Sequence, residues 1–291
     1  MVSVAFIGLG AMGRPMAANL AERFATTVWN RTAEVAAAHA AAHGTVAVDD
    51  LADLAGADVV CSCLPTDVEV AAVAERLGPR LGAGTIWIDH TSGDPAGSRA
   101  IGAALAEHGV RYLDAPVSGG TDGAAAGQLT VMVGGHEADL ARVADVLDRV
   151  AGTVVHVGPS GAGMAVKAVN NALLATSLWA AGEGLVALAA SGVAPAAAVE
   201  VFNRSSGRSF ATEKLIPERV LTREFPRMFA LKLLAKDVGL ACAVADGVEA
   251  RGPLFGLVEQ LTRDAAQRLG PEADHCELVR LVEADGGVEL S

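Results

Sequence analysis

The sequence predicts an α/β domain with a mainly parallel sheet in residues 1–160, followed by an all-α domain in residues 161–291. Strand-like apolar runs alternate with alanine-rich helical segments as far as Val157. After Gly163 only long helical patterns follow. A Gly/Pro cluster, Gly158-Pro-Ser-Gly-Ala-Gly163, separates the two patterns. A length of 291 residues also exceeds what one hydrophobic core usually serves, which favours two domains.

The predicted strands are short apolar runs rich in β-branched and aromatic residues. They are Val2–Ile7, Thr26–Trp29, Val59–Leu64, Thr85–Asp89, Arg111–Ala115, Leu129–Gly134 and Thr153–Val157. The helical segments between them would provide the crossovers that parallel strands need.

The second domain is expected to be built around one long connecting helix. Residues 165–190 are apolar around most of the predicted circumference. The most apolar stretch, Ala172 to Ala194, carries Glu183 near its middle, which favours a buried core helix over a membrane span. An all-round apolar helix also predicts a homo-oligomer, a homodimer or homotetramer, because a small helical domain cannot cover it alone.

Composition excludes several classes of partner. The formal net charge is −12 and no basic stripe is present, so neither nucleic acid nor membrane is an expected partner. The apparent lack of a leader segment favours the cytoplasm. Cys61 and Cys63 have neither zinc-ligand nor disulfide-framework spacing, and His39 and His43 lack a third ligand, so no metal is expected. We expect these two histidines to lie on a solvated helix face.

Three glycines, Gly8, Gly10 and Gly13, follow the first apolar run at the spacing G-x-G-x-x-G and open a helical pattern. In a strand-turn-helix unit the first glycine permits the turn, the second admits a pyrophosphate and the third allows close helix packing. This context favours a dinucleotide-binding Rossmann domain over a purely structural glycine turn. The expected cofactor contacts are Gly8, Leu9, Gly10, Ala11, Met12 and Gly13.

The end of the second strand predicts which nicotinamide cofactor binds. NAD-binding domains usually place a carboxylate there, on the ribose 2′-hydroxyl. This chain has Asn30, Arg31 and Thr32 instead. Because no carboxylate would repel a 2′-phosphate and two side chains could donate to it, the sequence favours NADP, with NAD possible. A surface arginine without this role is the alternative.

A second glycine-rich block runs from Asp114 to Gly135. Ser118, Gly119 and Gly120 follow a predicted strand, at the sheet edge where open α/β folds bind ligands. Their amides could form a cradle for a carboxylate. Gly123 and Gly127 lie farther along and are expected in a plain hairpin connection.

Lys167 and Asn171 are one helical turn apart in the otherwise apolar segment that follows the first domain. Apolar surroundings suit a lysine amine to exchange protons with an alcohol near neutral pH. A lysine that lays its stem along the helix is the structural alternative. The position directly after a nucleotide domain favours catalysis.

Together these blocks resemble the β-hydroxyacid dehydrogenase family, most closely its 3-hydroxyisobutyrate dehydrogenase branch. The resemblance covers nearly the whole chain. The matching motifs are Gly8–Gly13, Cys63–Pro65, Asp89–Pro95, Asp114–Gly120, Gly161–Asn171, Asn203–Arg208 and Leu234–Asp237.

The resemblance implies roles for individual residues. Lys167 would be catalytic, with Asn171 holding the substrate beside it. Ser118, Gly119 and Gly120 would bind the substrate carboxylate. The implied additional cofactor contacts are Leu64, Pro65, Ser92 and Lys236.

The expected reaction is hydride transfer between NADP(H) and a short 3-hydroxy acid. The leading substrate candidate is 3-hydroxyisobutyrate, and Lys167 would be the general acid/base. Reduction of small aldehyde acids, such as tartronate semialdehyde, glyoxylate or succinic semialdehyde, is the alternative. Asn170 stands where decarboxylating 6-phosphogluconate dehydrogenases carry a histidine. The presence of Lys167 argues against an imine reductase and against a non-catalytic NADP-binding scaffold.

Two positions depart from the family pattern. His90-Thr91-Ser92 stands where a Ser-Ser-Thr-like run is usual, so hydrogen bonding near the nicotinamide can differ. Cys276 stands where serine is common, and we expect that change to affect only subunit packing.

Overall fold

The structure is a computed structural model that describes residues 2–250 and 252–291. The chain divides into two compact units, Met1–Lys167 and Ala168–Ser291. The division falls inside the long helix Ala162–Ala190, slightly beyond the Gly/Pro cluster.

Strands in the described residues all belong to the first unit and form one sheet. They are β1 Ser3–Ile7, β2 Ala25–Trp29, β3 Val46–Ala47, β4 Val59–Ser62, β5 Ile86–Asp89, β6 Arg111–Asp114, β7 Val117–Ser118, β8 Leu129–Gly134 and β9 Ala151–Gly158. The order is β3-β2-β1-β4-β5-β6-β8-β7, and β9 pairs with β8. Strands β1 to β6 run parallel, and β8 is antiparallel to β6 and β7. The predicted mainly parallel sheet is confirmed.

The helices of the first unit cover both faces of this sheet. They are α1 Gly13–Ala21, α2 Ala33–His43, α3 Asp67–Leu77, α4 Pro95–Ala106, α5 Gly120–Ala125, α6 Glu137–Arg142 and α7 Ala144–Leu147, with 3-10 turns at Leu51–Leu54 and Gly78–Arg80. Successive residues of β1 point to opposite faces of the sheet: Phe6 packs into the hydrophobic cluster on one face, and Ile7 packs into the cluster on the other. A strand buried on both faces is what a helix-covered parallel sheet requires.

The strand order reverses between β1 and β4, which places a crevice at their carboxyl ends. The Gly8 N–H donates to the Trp29 carbonyl on one side, at 3.0 Å. The Cys63 N–H donates to the Ile7 carbonyl on the other, at 2.9 Å. The glycine motif therefore lies at the point where open α/β sheets bind their ligands.

The second unit is helical, as predicted, and has a core of its own. The long helix α8, Ala162–Ala190, leads into it. It is followed by α9 Pro195–Asn203, a π-helix Ala211–Val220, α10 Leu231–Asp246, α11 Pro253–Leu269, a 3-10 turn His275–Leu278 and α12 Val279–Gly286.

Helix α8 is not the fully buried core helix that its composition suggests. Leu178 and Leu185 are buried, but Val166 is 41% and Leu173 56% exposed. By length and composition α8 is the one helix of residues 2–250 and 252–291 that could span a membrane, a test that core helices also pass. Its buried face packs into the helical core, so a long apolar sequence here reflects one packed face and one uncovered face.

Three local expectations were wrong. Gly123 lies in helix α5, and Gly127 (φ +64°) ends the turn after it, so no plain hairpin connects β7 to β8. His39 is buried and does not lie on a solvated helix face. Its two ring nitrogens lie 2.9 Å from Thr45 Oγ1 and 3.0 Å from the Arg14 carbonyl oxygen, which gives the buried ring hydrogen-bond partners. Cys276 is buried in the core of its own unit, where it cannot meet another subunit.

Candidate active site

The turn between β1 and α1 accepts only glycine at two of its three glycine positions. Gly8 has φ +96°, and a Cβ there would lie 2.4 Å from the Cys63 carbonyl oxygen. A Cβ on Gly13 would lie 2.0 Å from the Gly8 carbonyl oxygen, so α1 packs directly against the turn. At Gly10 an added Cβ would meet nothing within 4 Å. The open side of the turn is therefore at Gly10.

The N-terminus of α1 fits the pyrophosphate of a dinucleotide. Met12 precedes the helix, and no side chain caps it. The first amides of a helix have no partner within the helix and attract anions. The Leu9 amide is already engaged, because it donates to Asn30 Oδ1 at 3.0 Å. Gly10, Ala11 and Met12 thus form the accessible part of the motif.

Asn30 fixes the loop after β2. Its Oδ1 accepts from the Leu9 amide, and its Nδ2 donates to the Thr32 carbonyl at 3.0 Å. Arg31 and Thr32 are exposed. The Thr66 hydroxyl lowers the pKa of Glu69, and Arg31 adds a smaller electrostatic contribution in the same direction. The predicted 2′-phosphate residues are accessible, with one carboxylate close enough to interact with Arg31.

Leu64 and Thr91 join the ends of β4 and β5. The Leu64 amide donates to Thr91 Oγ1 at 3.0 Å, while the Thr91 amide donates to Asp89 Oδ1 at 3.1 Å. Asp89 is fully buried and also accepts from Ser62 Oγ at 2.8 Å and Tyr112 OH at 2.9 Å. Burial raises the pKa of Asp89 to about 6, although these hydrogen bonds oppose the shift.

This network supports two candidate cofactor contacts. Pro65 follows Leu64 directly and is exposed, and Ser92 follows Thr91 directly and is half-buried. The Leu64 side chain also lies against the glycine turn, since a Cβ on Gly8 would come within 2.7 Å of it. Gly8, Leu64 and Thr91 are therefore brought together at one edge of the sheet.

Ser118, Gly119 and Gly120 form a turn between β7 and α5. Ser118 pairs with Thr130 of β8, and the next two residues have φ +134° and +65°. An added Cβ on Gly120 would meet nothing within 4 Å. Two consecutive positive φ angles with an open side make a backbone turn that can accommodate a carboxylate.

Asp114, the last residue of β6, connects that strand to the start of α8. It is fully buried, and it accepts from the Gly161 amide at 2.7 Å and the Met164 amide at 3.1 Å. A Cβ on Gly163 would lie 2.3 Å from the Met132 carbonyl oxygen and 2.8 Å from Asp114 Oδ2, which explains the glycine there. Burial raises the pKa of Asp114, while the helix amides oppose that shift. A carboxylate at a helix N-terminus also stabilises the helix dipole.

Helix α8 carries both Lys167 and Asn171, four residues apart and hence on one face. Lys167 is half-buried and Asn171 is buried. Asn171 Nδ2 donates to Asp237 Oδ2 at 2.6 Å, and its Oδ1 accepts from Asn170 Nδ2 at 3.2 Å. Both ends of the Asn171 amide are thereby oriented.

Lys236, a predicted cofactor contact, is linked to Asn171 through Asp237, which contacts both side chains. Its Nζ lies 3.2 Å from Asp237 Oδ1. Sequence reasoning did not assign a role to Asp237 or to Asp114. Each carries a signal in retrospect, because each is an acidic residue beside a candidate site residue or motif in a segment of mostly apolar residues.

Asp274, His275 and Cys276 come close enough together to resemble a metal site. Asp274 Oδ2 accepts from the amides of Met228 and Phe229 at 3.0 and 3.1 Å, and its Oδ1 accepts from the Cys276 amide at 3.0 Å. The side-chain hydrogen bond from His275 and these amides hold the pKa of Asp274 well below its usual range, against the effect of burial. The carboxylate caps the following turn, which is a structural role.

Two family models cover nearly the whole chain. The NAD binding domain of 6-phosphogluconate dehydrogenase matches residues 3–158. The NAD-binding domain of NADP-dependent 3-hydroxyisobutyrate dehydrogenase matches residues 161–282.

Relatives align from end to end. The 2-(hydroxymethyl)glutarate dehydrogenase of Eubacterium barkeri is 36% identical over 100% of this chain and 98% of its own. The NAD-dependent L-serine dehydrogenase of Pseudomonas aeruginosa is 33% identical over 99% and 100%. The structure of Mycobacterium tuberculosis 3-hydroxyisobutyrate dehydrogenase with L-serine superposes with a TM-score of 0.90 at 32% identity, covering 97% of this chain and 99% of that one.

Proposed function

The chain belongs to the β-hydroxyacid dehydrogenase family, with NAD(P)-binding domains, and we propose that it oxidises a short 3-hydroxy acid with NADP, 3-hydroxyisobutyrate first. One observation carries this proposal. Lys167 and Asn171 lie on one face of α8, and the Asn171 amide is oriented by Asp237. That arrangement offers a proton acceptor beside a fixed hydrogen-bond donor.

A nicotinamide cofactor, held by Gly10, Ala11 and Met12 at the start of α1, would supply hydride transfer to and from the carbinol carbon. The hydroxyl must lose its proton at the same time, and the neutral amine of Lys167 takes it. In the reverse direction the Lys167 ammonium returns that proton to the forming alkoxide. Asn171 keeps one Nδ2 hydrogen after bonding to Asp237, and we assign that hydrogen to the substrate oxygen.

The substrate carboxylate is assigned to the turn Ser118–Gly120. The positive φ angles of Gly119 and Gly120 and the open side at Gly120 support this assignment. A carboxylate held there would distinguish hydroxy acids from simple alcohols, because polar groups left unpaired in a binding site strongly disfavour the wrong ligand.

The proposed cofactor site is built on the glycine turn and on the loops that follow β2, β4 and β5. Gly10, Ala11 and Met12 would hold the pyrophosphate at the uncapped start of α1. Leu64, Pro65 and Ser92 are the other proposed contacts of the first unit, and Lys236 stays a prediction from the family resemblance. Exposed Arg31 and Thr32 would bind the 2′-phosphate, which favours NADP over NAD.

We also propose that the enzyme is a homodimer or homotetramer that associates through α8. Its exposed positions include Val166, Leu173, Ala180 and Ala187, which recur every seven residues; Glu183 and Ala190 near the end of the helix are exposed as well. Such a seam of apolar and small residues fits a second helix, and closed two-fold symmetry makes a second copy of this chain the natural occupant.

The test is a substrate panel assayed with both NAD and NADP. The oxidative arm contains 3-hydroxyisobutyrate, 3-hydroxypropionate, glycerate, L-serine and 2-(hydroxymethyl)glutarate. The reductive arm contains tartronate semialdehyde, glyoxylate and succinic semialdehyde. We expect the highest kcat/KM for 3-hydroxyisobutyrate with NADP. A tenfold higher value for a reductive substrate would favour the aldehyde-acid alternative, and NADP binding without turnover would indicate a scaffold.

A further inference from the structure

His90 is a buried histidine at the carboxyl end of β5 that takes no part in the proposed proton transfer. It is 3% exposed, and its amide donates to the Ser62 carbonyl at 2.8 Å. Its ring Nδ1 lies 2.8 Å from the Ala115 carbonyl oxygen. Because a carbonyl oxygen can only accept, Nδ1 carries the proton and donates it.

Ala115 lies where the chain leaves β6 for the Ser118–Gly120 turn. Its amide still donates to the Asp89 carbonyl at 2.7 Å. The Thr91 amide, which would come next in the parallel ladder, donates instead to Asp89 Oδ1 at 3.1 Å and leaves the Ala115 carbonyl without a backbone donor from β5. The His90 side chain therefore provides a contact from the β5 side at a point where the backbone cannot.

On the opposite side, backbone pairing with β8 holds the same segment. The Met132 amide donates to the Pro116 carbonyl at 3.1 Å, and Ser118 pairs with Thr130. The segment from Ala115 to Ser118 is thus fixed by β8 on one side and by His90 on the other. Removing the His90 contact would leave the Ala115 amide, bonded to Asp89, as the remaining hydrogen bond from the β5 side at the start of this segment.

We propose that His90 is a positioning residue that sets the location of the Ser118–Gly120 turn and thereby its affinity for the substrate carboxylate. This inference rests on the proposed function, which assigns the carboxylate to that turn. It concerns a position where this chain departs from the Ser-Ser-Thr-like run of its family. The hydrogen bond, and not the bulk of the ring, is the property that matters.

Two variants separate the hydrogen bond from the volume. In His90→Asn, Nδ2 branches from Cγ as Nδ1 does in histidine and can still donate to the Ala115 carbonyl. In His90→Leu the site is filled without a donor. Steady-state kinetics with 3-hydroxyisobutyrate are combined with NADPH binding by fluorescence and amide hydrogen exchange of residues 115–120.

We expect His90→Leu to raise KM for the acid about fivefold, the effect of losing one ordinary hydrogen bond. Its kcat and its NADPH affinity should stay within about twofold of wild type, and exchange in residues 115–120 should be faster. His90→Asn should behave like wild type in all three measurements.

Equal KM values in wild type and His90→Leu would overturn the proposal, as would equal damage in both variants, which would mean that His90 only fills space. If wild type turns over none of the acids, the proposed function fails separately. The exchange measurement then still decides, because unchanged exchange in His90→Leu would overturn the positioning role.

Discussion

Asn171 Nδ2 donates to Asp237 Oδ2 across 2.6 Å, although the two residues are far apart in the sequence. Both side chains are buried, at 3% and 2% exposure. A short hydrogen bond between buried groups restricts the amide to one orientation. Asp237 is therefore a positioning residue for Asn171 in the proposed reaction.

We predict that Asp237→Ala lowers kcat about tenfold or more, because a misplaced Asn171 no longer orients the hydroxyl. Asp237→Asn should recover much of that loss, since its Oδ1 can still accept from Asn171. Stopped-flow or steady-state kinetics with NADPH binding measured in parallel would check this. The exposed Asp264→Ala on α11 is the matched control. Normal kcat in a folded Asp237→Ala protein would contradict the role.

The cofactor preference should reside in Arg31. Arg31→Ala removes a charged donor to the 2′-phosphate, so NADP binding should weaken about tenfold while NAD binding changes little. Arg80→Ala, another exposed arginine, is the control. Binding of both cofactors by fluorescence titration measures the effect, and an equal loss for the two would show that Arg31 supports only the fold.

Stability should depend on pH through His90. Burial lowers the pKa of His90 from 6.5 to about 4, against the opposing effect of its bond to Ala115. A lowered folded-state pKa means that its contribution is complete above pH 6.5 and is lost as pH falls towards 4. The change is at most about 3 kcal/mol in the free energy of unfolding.

Asp89 has the opposite sign, because burial raises its pKa to about 6 and its contribution is lost as pH rises through that value. The His90→Leu variant isolates the histidine. Its stability deficit relative to wild type, measured by urea unfolding, should shrink between pH 7.5 and 4.5. His136→Leu, at an exposed histidine, is the control for the loss of a histidine side chain. A constant deficit for His90→Leu would contradict the prediction.

Association through α8 predicts that a charge on the exposed seam dissociates the oligomer. Leu173 is 56% exposed, and Leu173→Glu should shift the mass in light scattering towards the monomer. Val201, 60% exposed on α9, offers the control Val201→Glu. An active monomer of the wild-type chain at micromolar concentration would refute the proposed oligomer.

The sequence predicted the features that local patterns encode. The G-x-G-x-x-G spacing identified the β1–α1 turn because Gly8 and Gly13 are sterically required there. Each of the seven apolar runs predicted as strands overlaps a strand of the structure. Strands β3 and β7 were not predicted, because each has only two residues and a strand this short shows no alternating pattern. Each of them pairs with a longer strand.

Tertiary partnerships were beyond the sequence. Nothing local indicates that His39 is buried against Thr45 and the Arg14 carbonyl. The roles of Asp114 and Asp237 likewise depend on residues distant in the chain, Gly161 and Asn171. Buried polar side chains are specified by their partners, so a sequence pattern marks such a residue at most by its apolar surroundings and does not identify its partner.

The central claim is that Lys167 transfers the proton, and Lys167→Ala tests it most directly. General acid/base catalysis contributes about 10²- to 10⁴-fold, so kcat should fall by about that factor while the NADPH dissociation constant stays within about twofold. The exposed Lys232→Ala on α10 is the control and should retain full activity. Turnover of Lys167→Ala within about tenfold of wild type, with the protein folded and NADPH bound, would contradict the account.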